Sequence, residues 1–150
     1  MTTPPIRKKW LVLDLDGVLS DNSHRLGAAH ARDWNAYEEL AKLDPPGEAA
    51  KQLFYRWEDS GGHILILTGR SNSRREQTRL WLQENQLVPD ELLMRPENMW
   101  VADGEMKVQM LDEHFGDRES ALGSVALIVD DTESVVAALR NAGFPVWHAG

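Results

Sequence analysis

Short apolar runs alternate with amphipathic stretches along this chain. The runs WLVLDL, HILIL and VALIV are nearly continuous in apolar residues, which is typical of strands that are buried on both faces. Between them, apolar residues recur every three or four positions, the spacing that places them on one face of a helix. The pattern predicts strands over residues 10–15, 63–67, 92–94, 125–129 and 145–147, and helices over 48–60, 73–85, 105–115 and 132–142.

Polar and glycine residues mark the ends of these elements. Ser73 and Glu76 have the spacing of a capping box, which predicts the start of a helix. Gly61, Gly116 and Gly143 follow the last apolar positions of their helices, where a glycine often ends a helix. Strands that are separated by helices form a parallel sheet with helices on both faces, so we expect a three-layer α/β fold.

The composition narrows the class of protein. The chain has 150 residues, 42% of them apolar and 27% charged, which favours one globular domain over residues 1–150. It has no cysteine and no apolar run of the roughly 20 residues that span a bilayer, and its N-terminus does not resemble a signal peptide. We therefore expect a cytoplasmic protein that is not attached to a membrane. The net charge of −8 argues against broad electrostatic binding to duplex nucleic acid, while a local basic pocket stays open.

Residues that can carry chemistry cluster at the predicted strand ends. In a parallel sheet, ligands bind outside the carboxyl ends of the strands, so residues directly after the strands are expected to share one site. A lysine in the 105–115 helix is expected to reach the same edge. The set comprises Asp14, Asp16, Gly17, Thr68, Gly69, Arg70, Lys107, Asp130 and Asp131.

These residue types suit phosphoryl transfer. Asp14 and Asp16 lie two residues apart on an extended segment, so both side chains face one pocket. One carboxylate can attack phosphorus, while the other protonates the leaving group and later activates water. Together with Asp130 or Asp131, the pair offers the hard oxygen ligands that Mg²⁺ prefers.

Each motif has an ordinary structural interpretation when it is taken alone. Asp-x-Asp-Gly occurs in calcium loops and in turns, although Val18 and Leu19 break the calcium-loop pattern. The later Asp-Asp-Thr segment suits a helix N-cap, and Lys107 suits a solvated helix surface. The order and placement of all four motifs favour one site, in which Thr68 binds phosphate oxygens and Lys107 offsets negative charge.

The four motifs resemble those of the haloacid dehalogenase (HAD) superfamily over residues 10–147, which is nearly the whole chain. The resemblance implies the Rossmann-like parallel sheet of the HAD fold and an Mg²⁺-dependent phosphatase. It implies that Asp14 is the nucleophile that becomes an aspartyl phosphate and that Asp16 is the acid and base. It also implies a metal site made by Asp14, Asp16 and Asp131, with Asp130 acting through water.

A narrower resemblance is to the phosphatase domain of phage-type polynucleotide kinase–phosphatases, which remove 3′-phosphates from nucleic-acid ends. It rests on Arg25 after the first motif, on Arg70 after the Thr-Gly pair, and on Asp103, four residues before Lys107. The resemblance implies that these three residues and Gly69 bind substrate. Taken alone, Arg25 suits a solvated loop and Asp103 suits a helix N-cap.

The chain departs from this narrower pattern in three ways. No Gly-x-x-x-x-Gly-Lys-Ser/Thr loop occurs in it, so the kinase half is expected to be absent. The segment RPENMWVA before Asp103 is less basic than the pattern, and Val18 stands where threonine is common. The second departure leaves the polynucleotide substrate open, whereas the phosphatase chemistry is unaffected.

Residues 22–46 are expected to form a small helical insertion that acts as a minimal cap. Trp34, Tyr37, Leu40 and Ala41 have helical spacing, and we interpret them as packing on the core. A cap this short predicts an open site that accepts bulky substrates.

Three functions are compatible with these features. The first is a phosphomonoesterase for nucleotides or single-stranded nucleic-acid 3′ ends, and the second is a phosphatase for a small metabolite or a free mononucleotide. The third is a non-catalytic binding module, against which the intact aspartates and lysine argue. A local basic cluster would favour the first function if it contacted strand phosphates, and its other interpretation is a solvated helix face. The cluster comprises Arg70, Arg74, Arg75 and Arg79.

Overall fold

A computed structural model describes residues 9–150 of the chain. Within them, strands and helices alternate as the hydrophobic pattern predicts. The strands are β1 (Trp10–Leu13), β2 (His63–Ser71), β3 (Glu91–Arg95), β4 (Val125–Asp130) and β5 (Val146–His148). The α-helices are α1 (Leu26–His30), α2 (Trp34–Glu39), α3 (Glu48–Asp59), α4 (Arg75–Glu84), α5 (Asp103–Phe115), α6 (Arg118–Ser124) and α7 (Glu133–Asn141). Among these helices, none has the length and apolar character that crossing a bilayer needs.

The strands form one sheet in the order β3-β2-β1-β4-β5, and each neighbouring pair is parallel. β2 and β3 lie on one side of β1, and β4 and β5 lie on its other side. The strand order therefore reverses at β1, and in such sheets a crevice opens at that point beyond the carboxyl ends of the strands. This topology confirms the predicted three-layer α/β fold.

Alternate side chains of the central strands enter two separate cores. On one face, Leu11 and Leu13 belong to a core with Phe54 of α3 and Trp81 of α4. On the other face, Val12 belongs to a core with residues of α5, α6 and α7. All three β1 residues are fully buried. The strand is therefore a continuous apolar run rather than an alternating one, because helices cover both of its faces.

Two strand ends differ from the predicted ones. β1 ends at Leu13 rather than at residue 15, because Leu15 leaves the sheet to enter the core. β2 continues to Ser71 and its pairing with β3 becomes irregular after Thr68. The Thr-Gly-Arg segment therefore lies in the last part of the strand and not in a turn after it.

The helix starts also correct the sequence interpretation. The prediction of a capping box at Ser73 is wrong. The Ser71 side chain accepts a hydrogen bond from the backbone N–H of Ser73, and a 3₁₀ turn precedes α4. Asp103 is the first residue of α5 and Ala102 is its N-cap, so Asp103 is not a helix cap. The sequence pattern does not predict α6, because seven residues are too short to show helical spacing. The Asp117 side chain caps this helix by accepting a hydrogen bond from the backbone N–H of Ser120 (2.7 Å).

Residues 22–46 form the predicted helical insertion, in which two 3₁₀ turns flank α1 and α2. The predicted packing of its four spaced residues is only partly right. Ala41 is buried and Tyr37 and Leu40 are half-buried, but Trp34 keeps 56% of its surface exposed. Helical spacing shows which residues share a face, and it does not show how far the core extends beneath a helix of six residues.

Candidate active site

Asp14 stands directly after β1, at the crevice. Its backbone N–H donates to the carbonyl oxygen of Val129 in β4 (3.0 Å), so a hydrogen bond to the neighbouring strand holds it in place. Only 7% of the residue is exposed. Leu15 then enters the core, and the side chains of Asp14 and Asp16 line the same cavity, as their spacing predicts.

Lys107 of α5 joins Asp14 to Asp130 at the end of β4. Its Nζ donates to Asp14 Oδ1 (2.9 Å) and to Asp130 Oδ2 (2.6 Å), and the residue is almost fully buried. Burial alone would lower the pKa of Lys107, but the charges of Asp14 and Asp130 raise it above its ordinary value. Lys107 is therefore a buried cation held between two carboxylates, and its interpretation as a solvated helix lysine is wrong.

Three carboxylates meet at this point with a geometry that suits a divalent cation. One oxygen each from Asp14, Asp130 and Asp131 lie within 4.8 Å of one another. Carboxylate oxygens gathered in this way are the ligands that a hard divalent cation such as Mg²⁺ prefers. The pKa of Asp14 is raised to about 8, mainly by burial. The charges of the two other aspartates raise it further, while Lys107 lowers it. A cation would offset this excess of negative charge.

The two adjacent aspartates are not equivalent. Both oxygens of Asp130 are used, since Oδ2 accepts from Lys107 and Oδ1 accepts from the backbone N–H of Thr132 (3.0 Å). Asp131 is half-buried and lines the cavity, and within residues 9–150 its side chain accepts only a long hydrogen bond from the Thr132 hydroxyl (3.4 Å). Asp131 is thus the better placed of the two to contact a cation directly.

Gly17 gives Asp131 the space to reach this position. Its φ of +84° is a conformation that other residues rarely adopt, and a Cβ there would lie 2.0 Å from Asp131 Oδ2. The glycine of the first motif therefore serves both the turn and the carboxylate cluster.

Two arginines converge on Asp16. Arg25 Nη2 donates to Asp16 Oδ1 (2.5 Å), and Arg70 donates through Nη2 (2.6 Å) and Nε (3.0 Å). Burial alone would raise the pKa of Asp16, but the hydrogen bonds and charges of Arg70 and Arg25 lower it below its ordinary value. Among the described residues, the cluster of carboxylates that could hold a cation does not include Asp16. The assignment of Asp16 as a metal ligand therefore stays a prediction.

Asp44 is a site residue that the sequence analysis missed. Its side chain is fully buried and accepts from Arg25 Nε (2.9 Å) and Nη2 (2.7 Å), and it lies 2.6 Å from His24 Nε2. Arg25 is 1% exposed, and its guanidinium lies 4.2 Å from the ring centroid of Tyr37. The interpretation of Arg25 as a solvated loop residue is therefore wrong. Asp44 stands before two prolines and a glycine, which in sequence indicates only a turn.

Replacing Asp44 with alanine is expected to lower the free energy of unfolding by about 3–5 kcal/mol, because the buried Arg25 would lose its main partner. The matched control is Asp112→Ala, whose ion pair with Arg118 lies at the surface and should cost less than about 1 kcal/mol. Urea denaturation of both variants gives the comparison. Equal losses in the two variants would show that the buried pair adds nothing beyond an ordinary surface contact.

Thr68, Gly69 and Asp103 form another wall of the cavity. The Thr68 hydroxyl oxygen accepts the backbone N–H of Arg70 (3.1 Å), which leaves its proton for a further acceptor. A Cβ on Gly69 would lie 3.1 Å from Asp103 Oδ1, so the glycine permits the approach of that carboxylate. Asp103 also accepts a hydrogen bond from Arg95 at the end of β3.

The basic cluster at the start of α4 is engaged within the protein. Arg74 forms ion pairs with Glu38 (2.7 Å) and Glu39 (3.0 Å) of α2. Arg75 donates to a carbonyl oxygen of β3 (2.8 Å), and Arg79 pairs with a glutamate on its own helix (2.7 Å). The Arg74 contacts join the helical insertion to α4, and all three arginines have partners within the protein.

One cavity of about 400 Å³ brings the predicted site residues together. The predicted residues that line it are Asp14, Asp16, Arg25, Thr68, Gly69, Arg70, Asp103, Lys107 and Asp131. Asp130 lies behind Lys107 rather than on the cavity wall. Ten further residues line the cavity and were not predicted to belong to the site: Asn22, Trp34, Tyr37, Glu38, Ala41, Ser71, Arg74, Gln77, Thr132 and Val135.

The family of the chain follows from its sequence match. Residues 8–150 match the family model of the polynucleotide kinase PNKP phosphatase domain. The chain belongs to that family. This PNKP-type phosphatase domain is a phosphatase enzyme of the HAD type.

Solved structures resemble the PNKP-type domain in fold. A chain of the Pnkp1/Rnl/Hen1 complex is 24% identical with a TM-score of 0.75, and one of the Pnkp1/Rnl/Hen1 RNA repair complex is 24% identical with a TM-score of 0.77. Each match covers 99% of this chain but only 48% and 44% of those chains, so this chain spans less than half of their length. A hydrolase from Streptococcus pneumoniae TIGR4 is 15% identical with a TM-score of 0.65, over 96% of this chain and 94% of that one. Among curated proteins, none matches this chain in sequence.

Proposed function

We propose that this domain is an Mg²⁺-dependent phosphomonoesterase that works through an aspartyl phosphate and releases the 3′-phosphate of nucleic-acid ends or nucleotides. The observation that carries the proposal is the juxtaposition at the crevice. Asp14 is held by Lys107 on one side (2.9 Å), and Asp16 is held by Arg25 and Arg70 on the other (2.5 and 2.6 Å). A phosphate between these groups would meet a nucleophile, an acid and three cations.

In the first half of the reaction, an oxygen of Asp14 forms a bond to phosphorus while the bond to the leaving oxygen breaks. Asp16 supplies the proton that the leaving oxygen needs. The backbone of β4 and the Lys107 ammonium fix Asp14, so the attack requires little rearrangement of the nucleophile. The Thr68 hydroxyl donates a hydrogen bond to a phosphate oxygen.

In the second half, water attacks the phosphorus of the aspartyl phosphate, and Asp16 takes the proton from that water. The phosphate leaves and Asp14 is restored. Arg25 and Arg70 are the cations that face the transferred group, and the dianionic phosphate competes with Asp16 for their N–H donors. Asp16 can carry a proton once these donors have turned to the phosphate, because the groups that lower its pKa have then moved away.

Asp14, Asp131 and, through water, Asp130 are the residues that would hold Mg²⁺. The donor set fits, since it consists of carboxylate oxygens close together in a buried and negatively charged setting. When bound, the ion neutralises charge between the nucleophile and the phosphate. Lys107 also offsets the charge of Asp14 and opposes the rise in the pKa of that carboxyl group that burial causes.

Replacing Gly17 with alanine is expected to weaken Mg²⁺ binding by at least about 10-fold, because the new Cβ would displace Asp131. The matched control is Gly61→Ala, which has a φ of +86° but no atom within 4 Å of the new Cβ. Both variants carry the same backbone strain, and only the first disturbs the carboxylates. Calorimetric titration with Mg²⁺ measures the difference, and equal affinities would contradict the assignment of Asp131.

A specific observation favours the second candidate, a phosphatase for free mononucleotides or small metabolites. Arg74, Arg75 and Arg79 are engaged within the protein, and the chain carries a net charge of −8. A long strand would thus find weak electrostatic attraction on this side of the cavity. The family match favours the nucleic-acid end, which is why that substrate is proposed first.

The test is phosphate release from a panel of substrates with and without Mg²⁺. The panel holds a 3′-phosphorylated oligonucleotide, a 5′-phosphorylated one, 3′- and 5′-mononucleotides, and sugar phosphates. We expect Mg²⁺-dependent release from the 3′-phosphates of oligonucleotides and mononucleotides, with kcat/KM well above that for the other substrates. Preference for a mononucleotide or a sugar phosphate over the 3′-phosphorylated oligonucleotide would establish the second candidate. Activity that is unchanged in excess chelator would refute the role of the metal.

A further inference from the structure

Trp34 is an exposed aromatic residue at the mouth of the catalytic cavity. It is the first residue of α2, it lines the same cavity as Asp14 and Lys107, and 56% of its surface is exposed. Trp100 and Trp147 are also more than half exposed, but they do not line this cavity in the described part of the chain. A tryptophan left open to water beside a site offers a large apolar surface to a ligand.

The orientation of Trp34 is constrained by its neighbours. Its ring meets Tyr37 edge to face, with centroids 5.8 Å apart at 90°. The Tyr37 hydroxyl accepts a hydrogen bond from Asn22 (3.0 Å), and its ring lies over Arg25 (4.2 Å). The arginine that faces the phosphate therefore packs on Tyr37, which packs on Trp34. This contact series places the aromatic surface at a fixed position relative to the phosphate site.

The helix that carries Trp34 is also anchored from the other side. Asp33 caps α2 by accepting the backbone N–H of Ala36 (3.2 Å), and Arg74 pairs with Glu38 and Glu39 at its far end. A rigid aromatic side chain loses little conformational freedom when a ligand stacks on it, so an anchored helix favours binding through Trp34.

The charges around the cavity mouth favour a base that stacks on Trp34 over electrostatic binding of the strand phosphates. The arginines at the start of α4 are paired with glutamates or backbone oxygens, whereas the Trp34 ring is open. Every nucleic-acid base has a flat face that an aromatic ring can bind, with little dependence on sequence. The cavity of about 400 Å³ lies within the usual range for small-ligand sites.

We propose that Trp34 stacks on the base of the terminal nucleotide, so that the enzyme recognises the nucleoside that carries the 3′-phosphate and not the strand behind it. This inference rests on the proposed function, because it assumes a nucleotide substrate. It assigns Trp34 as a specificity-determining residue. It also predicts that strand length beyond the last nucleotides has little influence on KM and that salt affects short and long substrates alike.

The experiment compares two trinucleotides that carry a 3′-phosphate, one with a terminal base and one with an abasic sugar in that position. The variants are Trp34→Ala and Trp34→Phe, with Trp147→Ala as the control, since Trp147 is equally exposed at 56% but lies outside the cavity. We expect Trp34→Ala to lower kcat/KM for the base-bearing substrate by about 5- to 150-fold, mainly through KM, because it removes the stacking partner. Trp34→Phe should retain most of the preference.

The abasic substrate separates the possible outcomes. In the wild type it should be the poorer substrate, and Trp34→Ala should leave its turnover unchanged. An equal loss on both substrates would make Trp34 a structural residue, and no loss on either would remove it from the site. Absence of phosphate release from both substrates by the wild type would instead refute the proposed function, and the stacking role with it.

Discussion

Replacing Asp14 with asparagine is expected to lower phosphate release by at least about 1000-fold, because an amide cannot form the acyl phosphate on which the reaction depends. The second aspartate cannot substitute for it. The Asp16 carboxylate is held by Arg25 and Arg70, whereas the Asp14 carboxylate is held by Lys107. The measurement is turnover of a 3′-phosphorylated oligonucleotide, and an Asp14→Asn variant with a tenth of wild-type activity would refute the covalent mechanism.

The fold of this variant serves as the control. Asparagine is close to aspartate in size and its amide oxygen can still accept from Lys107, which keeps its second partner Asp130. We therefore expect a folded protein with a cooperative thermal transition. Acid-quenched wild-type protein should carry a phosphoryl group detectable by mass spectrometry during turnover, and the variant should carry none. Wild-type protein that never carries phosphate under these conditions would also contradict the aspartyl phosphate.

Replacing Asp16 with asparagine is expected to slow the hydrolysis of alkyl phosphates by about 10²–10⁴-fold, the usual range for loss of a general acid or base. Nitrophenyl phosphate should lose less, because its leaving group departs without a proton. Rates of phosphoryl transfer for both substrates, measured in single turnovers, give the comparison. Equal losses would indicate that Asp16 acts mainly on the metal or on the two arginines.

The arginine contacts of Asp16 provide a further control. Asparagine would remove one negative charge beside Arg25 and Arg70, while Asp44 still compensates Arg25. Inhibition by inorganic phosphate reports on these arginines directly, since phosphate binds them without chemistry. We expect inhibition to stay the same or to become stronger in Asp16→Asn. Weaker inhibition would show that Asp16 is needed to position the arginines, in addition to any transfer of protons.

The strands and the catalytic motifs were predictable because their determinants are local. A continuous apolar run such as residues 10–13 is typical of a strand covered on both faces, and the three such runs with the helices between them predicted the correct fold class. The i, i+2 spacing of Asp14 and Asp16 likewise requires no tertiary information. Element ends were less predictable. α6 is too short for periodicity, and β2 extends past Thr68 because β3 is available to pair with it.

The residues that surround the motifs depended on contacts between distant segments. Asp44 lies in a turn that any surface loop could contain, and it becomes a buried partner only because the cap folds back over Arg25, nineteen positions earlier. Arg74 and Arg75 looked like candidates for strand phosphates, whereas the fold brings α2 and β3 close enough to engage them. Trp34 was assigned to the core from its spacing and lies instead at the cavity mouth.

The sequence by itself determined the α/β architecture and the reactive residue types at the strand ends, because backbone periodicity and residue type act within a few positions of the chain. It determined which carboxylates stand at the strand ends and which helix lysine is available to them. Only the tertiary structure decided which charges face the substrate and which are paired within the protein, since a charge at one position is compensated by groups far away in sequence. Arg74 is paired with glutamates, whereas the ring of Trp34 is exposed. We therefore expect the enzyme to recognise the last nucleotide of its substrate rather than the strand phosphates.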